Sequence, residues 1–334
     1  MRGTPAVGAA CALWLALVPC VGGSSMQFEH ISSYDRRLSI LLSVAPDVHR
    51  ELPLPLEDRL SSPCWQRNGS RHCLPAFFLA GAMQCGAGDL WQRLRQHALV
   101  PSRHDALSHW WTNHPRSRAG DFNTYVRRFS NEATLRAIEA EPGSLLGDAS
   151  PATFTFIFAE SLRLHYRYLD AFNACYAQCK GKNPPADVPA CKLRLRASEG
   201  GYRANHCYAV AAQATAPLSF NIPSFAATIL PSLKVIVLLR EPAERLWIAY
   251  WNYGQYPARY GQSATGFAFY FGNQSADWRQ CERLHGSHAC ALRFEGHGPT
   301  QADVYYHCDQ LIKGMYSEFV GEWQVSIVPP LDTR

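Results

Sequence analysis

The chain has 334 residues, of which 47% are hydrophobic and 18% charged, a balance that excludes collagen-like, low-complexity and disordered classes. Its formal net charge of +5 suits an anionic ligand. No Lys/Arg run marks a nucleic-acid-binding arm, so nucleic acid is set aside as a partner. The length fits one large α/β domain or two small ones, and no internal repeat divides it.

Arg2 precedes an uncharged stretch from Gly3 to Ser25, most apolar from Ala9 to Val18 and followed by Pro19, Gly22, Gly23 and Ser24. This is the pattern of a secretory signal peptide over residues 1–24. An uncleaved anchor is the alternative, and the only case in which a membrane is an expected partner. The apolar core is shorter than the roughly 20 residues of a spanning helix, which favours cleavage. There are twelve cysteines; Cys11 and Cys20 fall in this segment, which leaves ten. Cys64 and Cys73 are close neighbours, Cys175, Cys179, Cys191 and Cys207 form a group, and Cys281, Cys290 and Cys308 form another. In an oxidising lumen these read as disulfides. The middle group with His206 matches no common zinc spacing, and no metal is expected. The sequons Asn68-Gly69-Ser70 and Asn273-Gln274-Ser275 fit the same compartment.

Residues 25–60, with Pro46, Pro53 and Pro55 among polar residues, read as a stem ahead of a domain at 61–334. Pro75 to Ala80 is a short apolar run that predicts a strand. It ends at the glycine-rich turn Gly81-Ala-Met-Gln-Cys-Gly-Ala-Gly88. Asp89 is the expected N-cap of a helix with Leu90, Trp91 and Leu94 on one face. Leu233 to Leu239 is a continuous apolar run, as in a parallel strand buried on both faces. Arg240 ends it, Pro242 suits the first turn of a helix, and Gly254 suits its stop. Apolar residues at 311, 312, 315, 316, 319, 320 and 323 predict one helix. Strands alternating with helices indicate an α/β fold with a mainly parallel sheet.

A glycine turn between strand and helix can surround an anion with N–H groups. Gly81 and Gly86 have Walker spacing, but Ala87 and Gly88 stand where Lys and Ser/Thr are needed. Kinase-like nucleotide chemistry is therefore remote. Taken alone, such a turn is as often structural. Arg240, at the C-terminal end of a buried strand, lies where ligands of open α/β sheets bind and could grip a phosphate bidentately. Arg240 and Arg245 could equally just pair with Glu241 or Glu244.

Taken together, these segments resemble the Golgi carbohydrate sulfotransferases, closest to the N-acetylgalactosamine 4-sulfate 6-O-sulfotransferase group. Residues 81–90 are similar to that family's 5′-phosphosulfate loop, G-x-P-K-C-G-T-T-D-L. Val235 to Tyr253 resembles its 3′-phosphate loop, L-L-R-x-P-x-E-R-x-x-S-x-Y. His109-Trp-Trp-Thr112, Gly147-Asp-Ala-Ser-Pro151 and Lys313-Gly-Met-Tyr316 resemble further motifs in the same order. The poor match at 160–205 reads as an insertion carrying its own disulfides.

The resemblance implies a P-loop-like sulfotransferase fold and a location in the Golgi lumen or secretion. It implies transfer of a sulfuryl group from 3′-phosphoadenosine 5′-phosphosulfate, the co-substrate, to a hydroxyl of a glycosaminoglycan-type chain. The donor would be held by Gly81, Cys85, Gly86, Ala87, Gly88, Asp89, Arg240, Lys313 and Gly314. Trp110, Trp111, Asp148 and Ser150 would lie on the acceptor side. His109 would be the base, helped by Asp105 or Asp148; the competing reading of His109 is a packed residue beside the two tryptophans. A Cys281–Cys290 disulfide is implied as well.

Departures from the family pattern point at the chemistry itself. Gln84 replaces a lysine that contacts the transferring group, Ala87 and Gly88 replace hydroxyl residues, Ile248 replaces a serine, and Ala106-Leu107 replaces a Lys-Glu pair. The resemblance also implies a core strand and helices beyond Arg334. An impaired relative that binds glycan or nucleotide without turnover is therefore the competing expectation.

Overall fold

The computed structural model describes residues 34–52, 56–101, 108–112, 121–155, 174, 221–292 and 308–327. The signal-like segment, Asp105 to Leu107, the cysteine group from 175 to 207 and, apart from Ala174, the expected insertion lie outside the described residues. The described part is mixed helix and sheet, with a small parallel sheet at its centre.

Helices α1 (Tyr34–Val44) and α2 (Pro46–Glu51) come first. They fall within the expected stem, residues 25–60, and take up about half of it. Leu41, Ala45 and Val48 are buried in the main core, and Pro46 opens α2, where its missing N–H costs no helical bond. Strands β1 (Cys64–Arg67) and β2 (Ser70–Cys73) form an antiparallel hairpin. Its turn, Asn68-Gly69, has φ of 50° and 76°, the left-handed pair that Asn-Gly favours. The Cys64–Cys73 disulfide closes the open end of the hairpin. Cross-links of this kind are worth about 2–4 kcal/mol.

Strand β3 (Phe77–Gly81) is buried at all five positions and is the middle of the sheet. It is parallel to β4 (Gly147–Asp148) on one side and to β5 (Lys234–Val237) on the other. β5, one of the two outer strands, is half-buried rather than enclosed on both faces. Helix α3 (Ala87–Leu94) follows β3 and lays Trp91 against Phe77. Helices α4 (Phe122–Phe129) and α5 (Glu132–Ala140) precede β4, each capped by a side chain, Asp121 and Asn131. Helix α6 (Ile222–Ile229) is buried along its whole length and packs on α1.

After β5 come α7 (Pro242–Asn252), α8 (Gln255–Tyr260), α9 (Ala264–His285) and α10 (Ser287–Leu292). The Cys281–Cys290 disulfide ties α9 to α10. Cys308, grouped with that pair in the sequence, is a buried free thiol. Helical residues 308–312 and α11 (Ser317–Ile327) end the described chain. Among the described residues no helix is long and apolar enough to cross a membrane.

Three local expectations need correction. The N-cap of α3 is Gly86 at φ 89°, not Asp89, which lies in the first turn and bonds Arg93. The left-handed glycine turns the chain three residues earlier than the acidic residue suggests. The stripe from 311 to 323 is not one helix but breaks at Lys313-Gly314, so its apolar periodicity continues across a turn. Gly254 does not end α7. Tyr253 does, and Gly254 opens α8.

Candidate functional site

The loops after β3 and β5 run side by side at the C-terminal edge of the sheet. Leu238 N donates to Gly81 O at 2.9 Å and Ala82 N to Leu238 O at 2.8 Å. Gly81 has no room for a side chain, since a Cβ there would lie 2.5 Å from Phe154 Cβ. The loop then passes through Gln84 at φ 64° and Gly86 at φ 89° into α3. No side chain caps α3. A helix's first N–H groups have no partner within it, so this end presents donors and partial positive charge to an anion. Nothing stands within 4 Å of a Cβ placed on Gly88.

Arg240 follows β5 at the same edge. Its guanidinium pairs with Glu244 at 2.8 Å, while its Nε is buried without a partner. Tyr316 OH donates to Arg240 O at 2.9 Å and lies 3.4 Å from Cys85 Sγ. One phenol thus joins the glycine loop, the Arg240 loop and the Lys313–Tyr316 segment. Asn252, the last residue of α7, donates to Gln84 Oε1 at 2.7 Å and ties that side chain to α7.

Lys313 is buried and already engaged, its Nζ 3.0 Å from Asp309 Oδ2. Asp309 also accepts from Tyr256 OH at 3.0 Å. Arg245 is fully buried and bonds Gln310 through its Nη atoms. Burial pulls its pKa down, and its Nε, like that of Arg240, has no partner. A Cβ on Gly314 would meet that Nε at 3.5 Å. Ile248 lies half-buried on α7.

On the other side of β3, residues 108–112 are organised by the carboxylate of Asp148, at the end of β4. Ser108 Oγ donates to it at 2.7 Å, Ser150 Oγ at 2.5 Å and Tyr125 OH at 2.9 Å. Trp111 Nε1 in turn donates to Tyr125 OH at 2.9 Å. Burial pushes the Asp148 carboxyl up, and the three hydroxyl donors pull it back. His109 N donates to Ser150 Oγ at 2.9 Å, and His109 sits at φ 45°. Asp148 therefore reaches His109 through Ser150 and the backbone amide, not through the imidazole.

Trp110 and Trp111 form a short 3-10 turn, Trp110–Thr112, and are buried among Phe78, Phe122 and Tyr125. With Asp148 and Ser150 buried beside them, these four expected acceptor-side residues belong to the core. They can meet an acceptor only through His109, which is half-exposed. Asn68 is exposed on the hairpin turn, whereas Asn273 is exposed within α9 with its sequon Ser275 buried.

The fold brings the glycine loop, Arg240 and the Lys313–Tyr316 segment together at the C-terminal edge of the sheet, while His109 and Asp148 lie on the β4 side of β3. Sequence reasoning did not single out Tyr125, Ser108 or Asn252. Their partners are 23, 40 and 168 residues away, a separation that local pattern does not reveal. Among the described residues no group of three or more His, Cys, Asp or Glu is placed to hold a metal. No family model matches the chain, and comparison with curated proteins and with solved structures gives no match.

Proposed function

We propose that this edge of the sheet binds 3′-phosphoadenosine 5′-phosphosulfate, and that the protein is a carbohydrate sulfotransferase of P-loop-like fold acting on a glycosaminoglycan-type hydroxyl. The observation that carries the reading is the junction at Tyr316. Three segments that resemble donor-binding motifs meet there, around an uncapped helix end and an arginine with a spare N–H.

The residues present fit a doubly anionic nucleotide in part. The N–H groups of residues 86–89 would hold its 5′ end, and Arg240 its 3′-phosphate, releasing Glu244 to do so. Lys313 would contribute charge at the same end while remaining tied to Asp309. When bound, the donor supplies the sulfuryl group. His109, whose backbone N–H is held by Ser150, would take the acceptor's proton. Gln84 offers a neutral amide where charge develops, and a missing electrostatic contact of that kind costs about 10²–10³ in rate.

A second reading, a relative that binds without turnover, is favoured by Gln84, whose Oε1 is tied to Asn252 and whose neutral amide brings no positive charge to the site. Labelled donor, incubated with the protein and chondroitin sulfates, is the test. Transfer of label supports the enzyme. Binding of adenosine 3′,5′-bisphosphate without transfer supports the second reading, and absence of both overturns the site.

A further inference from the structure

The two Asn-x-Ser tripeptides of the chain are treated in opposite ways by the fold. Asn68-Gly69-Ser70 forms the turn of the β1–β2 hairpin and the first residue of β2, and all three residues are exposed. Asn68 at φ 50° and Gly69 at φ 76° reverse the chain, which keeps Asn68 and Ser70 together at one tip. Nothing stands within 4 Å of a Cβ placed on Gly69, so the space around that tip is open. Asn273-Gln274-Ser275 lies instead inside α9. Asn273 is exposed, but Gln274 and Ser275 are only 2% and 7% exposed. Residues two apart on a helix point about 200° away from each other. Solvent therefore reaches the asparagine while the core takes the serine.

We propose that Asn68 carries an asparagine-linked glycan and that Asn273 does not. In the transfer, Asn68 Nδ2 bonds to the anomeric carbon of a lipid-diphosphate-linked oligosaccharide. The anomeric C–O bond breaks, its electron pair leaves with the lipid diphosphate, and the amide nitrogen gives one proton to the transferase. That transferase must engage the asparagine amide and the serine hydroxyl of one sequon together. The hairpin tip offers both at once, and the helix holds them on opposite faces. The hairpin is complete within residues 64–73, so its tip forms from local pairing and one cross-link, the Cys64–Cys73 disulfide. Such a bond belongs to an oxidising compartment, the kind in which asparagine-linked sugars are attached. The proposal rests on the secretory reading of residues 1–24 and is independent of the sulfotransferase reading.

The test is expression of the full chain in animal cells, followed by peptide-N-glycosidase treatment in heavy-oxygen water and peptide mass spectrometry. Each asparagine that carried a sugar then appears as a labelled aspartate. Label at position 68 and none at position 273 is expected. Asn68→Gln and Ser70→Ala should each abolish the change in gel mobility on enzyme treatment. Ser70→Thr, which keeps the hydroxyl, should retain it, and Asn273→Gln should leave it as in the parent. Alkylation of Cys64 and Cys73 before and after reduction reports the compartment in the same sample. An unmodified Asn68 with the Cys64–Cys73 bond formed overturns the proposal and leaves the secretory reading standing. An unmodified Asn68 with both thiols free overturns the two together. Label at position 273, with or without label at 68, overturns the selection of Asn68 over Asn273.

Discussion

Two polar regions flank β3, and they are built on opposite principles. Around Asp148 three hydroxyls converge on one carboxylate, an indole N–H closes the network behind them, and the whole is buried. Around Arg240 and Gln84 the polar groups are only partly satisfied. Two guanidinium Nε atoms are buried without partners, and α3 starts without a cap. A saturated buried network fixes geometry and has nothing left to offer a ligand. A region with spare donors has something to offer, and unmade buried bonds of this sort are unfavourable until a partner arrives. The contrast leaves Asp148 holding residues 108–112 and leaves the spare donors on the Arg240 side, where the proposal places the nucleotide.

The largest effect should come from breaking the saturated side. Asp148→Ala strands Ser108, Ser150 and Tyr125 without their acceptor and is expected to lower stability by about 3–5 kcal/mol in urea unfolding. Asp148→Asn keeps the shape and one acceptor oxygen and should cost less than half as much. Equal, small losses for both would show that the network is not what holds residues 108–112.

On the open side, Gln84→Lys should raise sulfate transfer by up to about 10²-fold, because a cation favours the charge that develops on the leaving oxygen. The measurement is turnover with labelled donor and chondroitin sulfate. An unchanged rate from an already active parent would mean that another cation serves. Smaller again, Arg240→Ala should weaken adenosine 3′,5′-bisphosphate about tenfold by calorimetry, the loss of one charge-assisted bond. Equal affinity would remove Arg240 from the site.

The smallest effect lies outside both regions and serves as a control on them. His288 is clamped between Glu318 and Glu322, at 3.1 and 3.5 Å, and these contacts raise its pKa from 6.5 to about 9. A folded pKa above the unfolded one means that the clamp stabilises fully below pH about 6.5 and is lost as pH rises through about 9. His288 is 39% exposed, so solvent screening holds the gain to no more than about 1 kcal/mol. His288→Gln should flatten stability between pH 7 and 10, measured by thermal unfolding, while nucleotide affinity stays that of the parent.

Much of the local structure was legible in the residues. The apolar run from Pro75 to Ala80 reads as a strand, and β3 lies within it; Asn68-Gly69, read only as part of a sequon, proves to be the turn of a hairpin. Pro242 marked the first turn of α7. These rest on local sterics and period, which a few neighbouring residues settle. The stem reading rested on composition in the same way. Proline content suggested a linker, but Leu41, Ala45 and Val48 find their partners on elements far along the chain.

The sequence by itself determined the α/β pattern, the glycine turn after the first strand of the sheet, and the residue types gathered in each motif. Only the tertiary structure decided which of those residues are available. Trp110, Trp111, Asp148 and Ser150 look like site residues in a linear reading, yet they are consumed by packing and by one another. Arg240 keeps a free N–H, and Lys313 finds Asp309. Availability depends on burial and on partners brought from tens to hundreds of residues away. Both are properties of chain closure and not of local pattern.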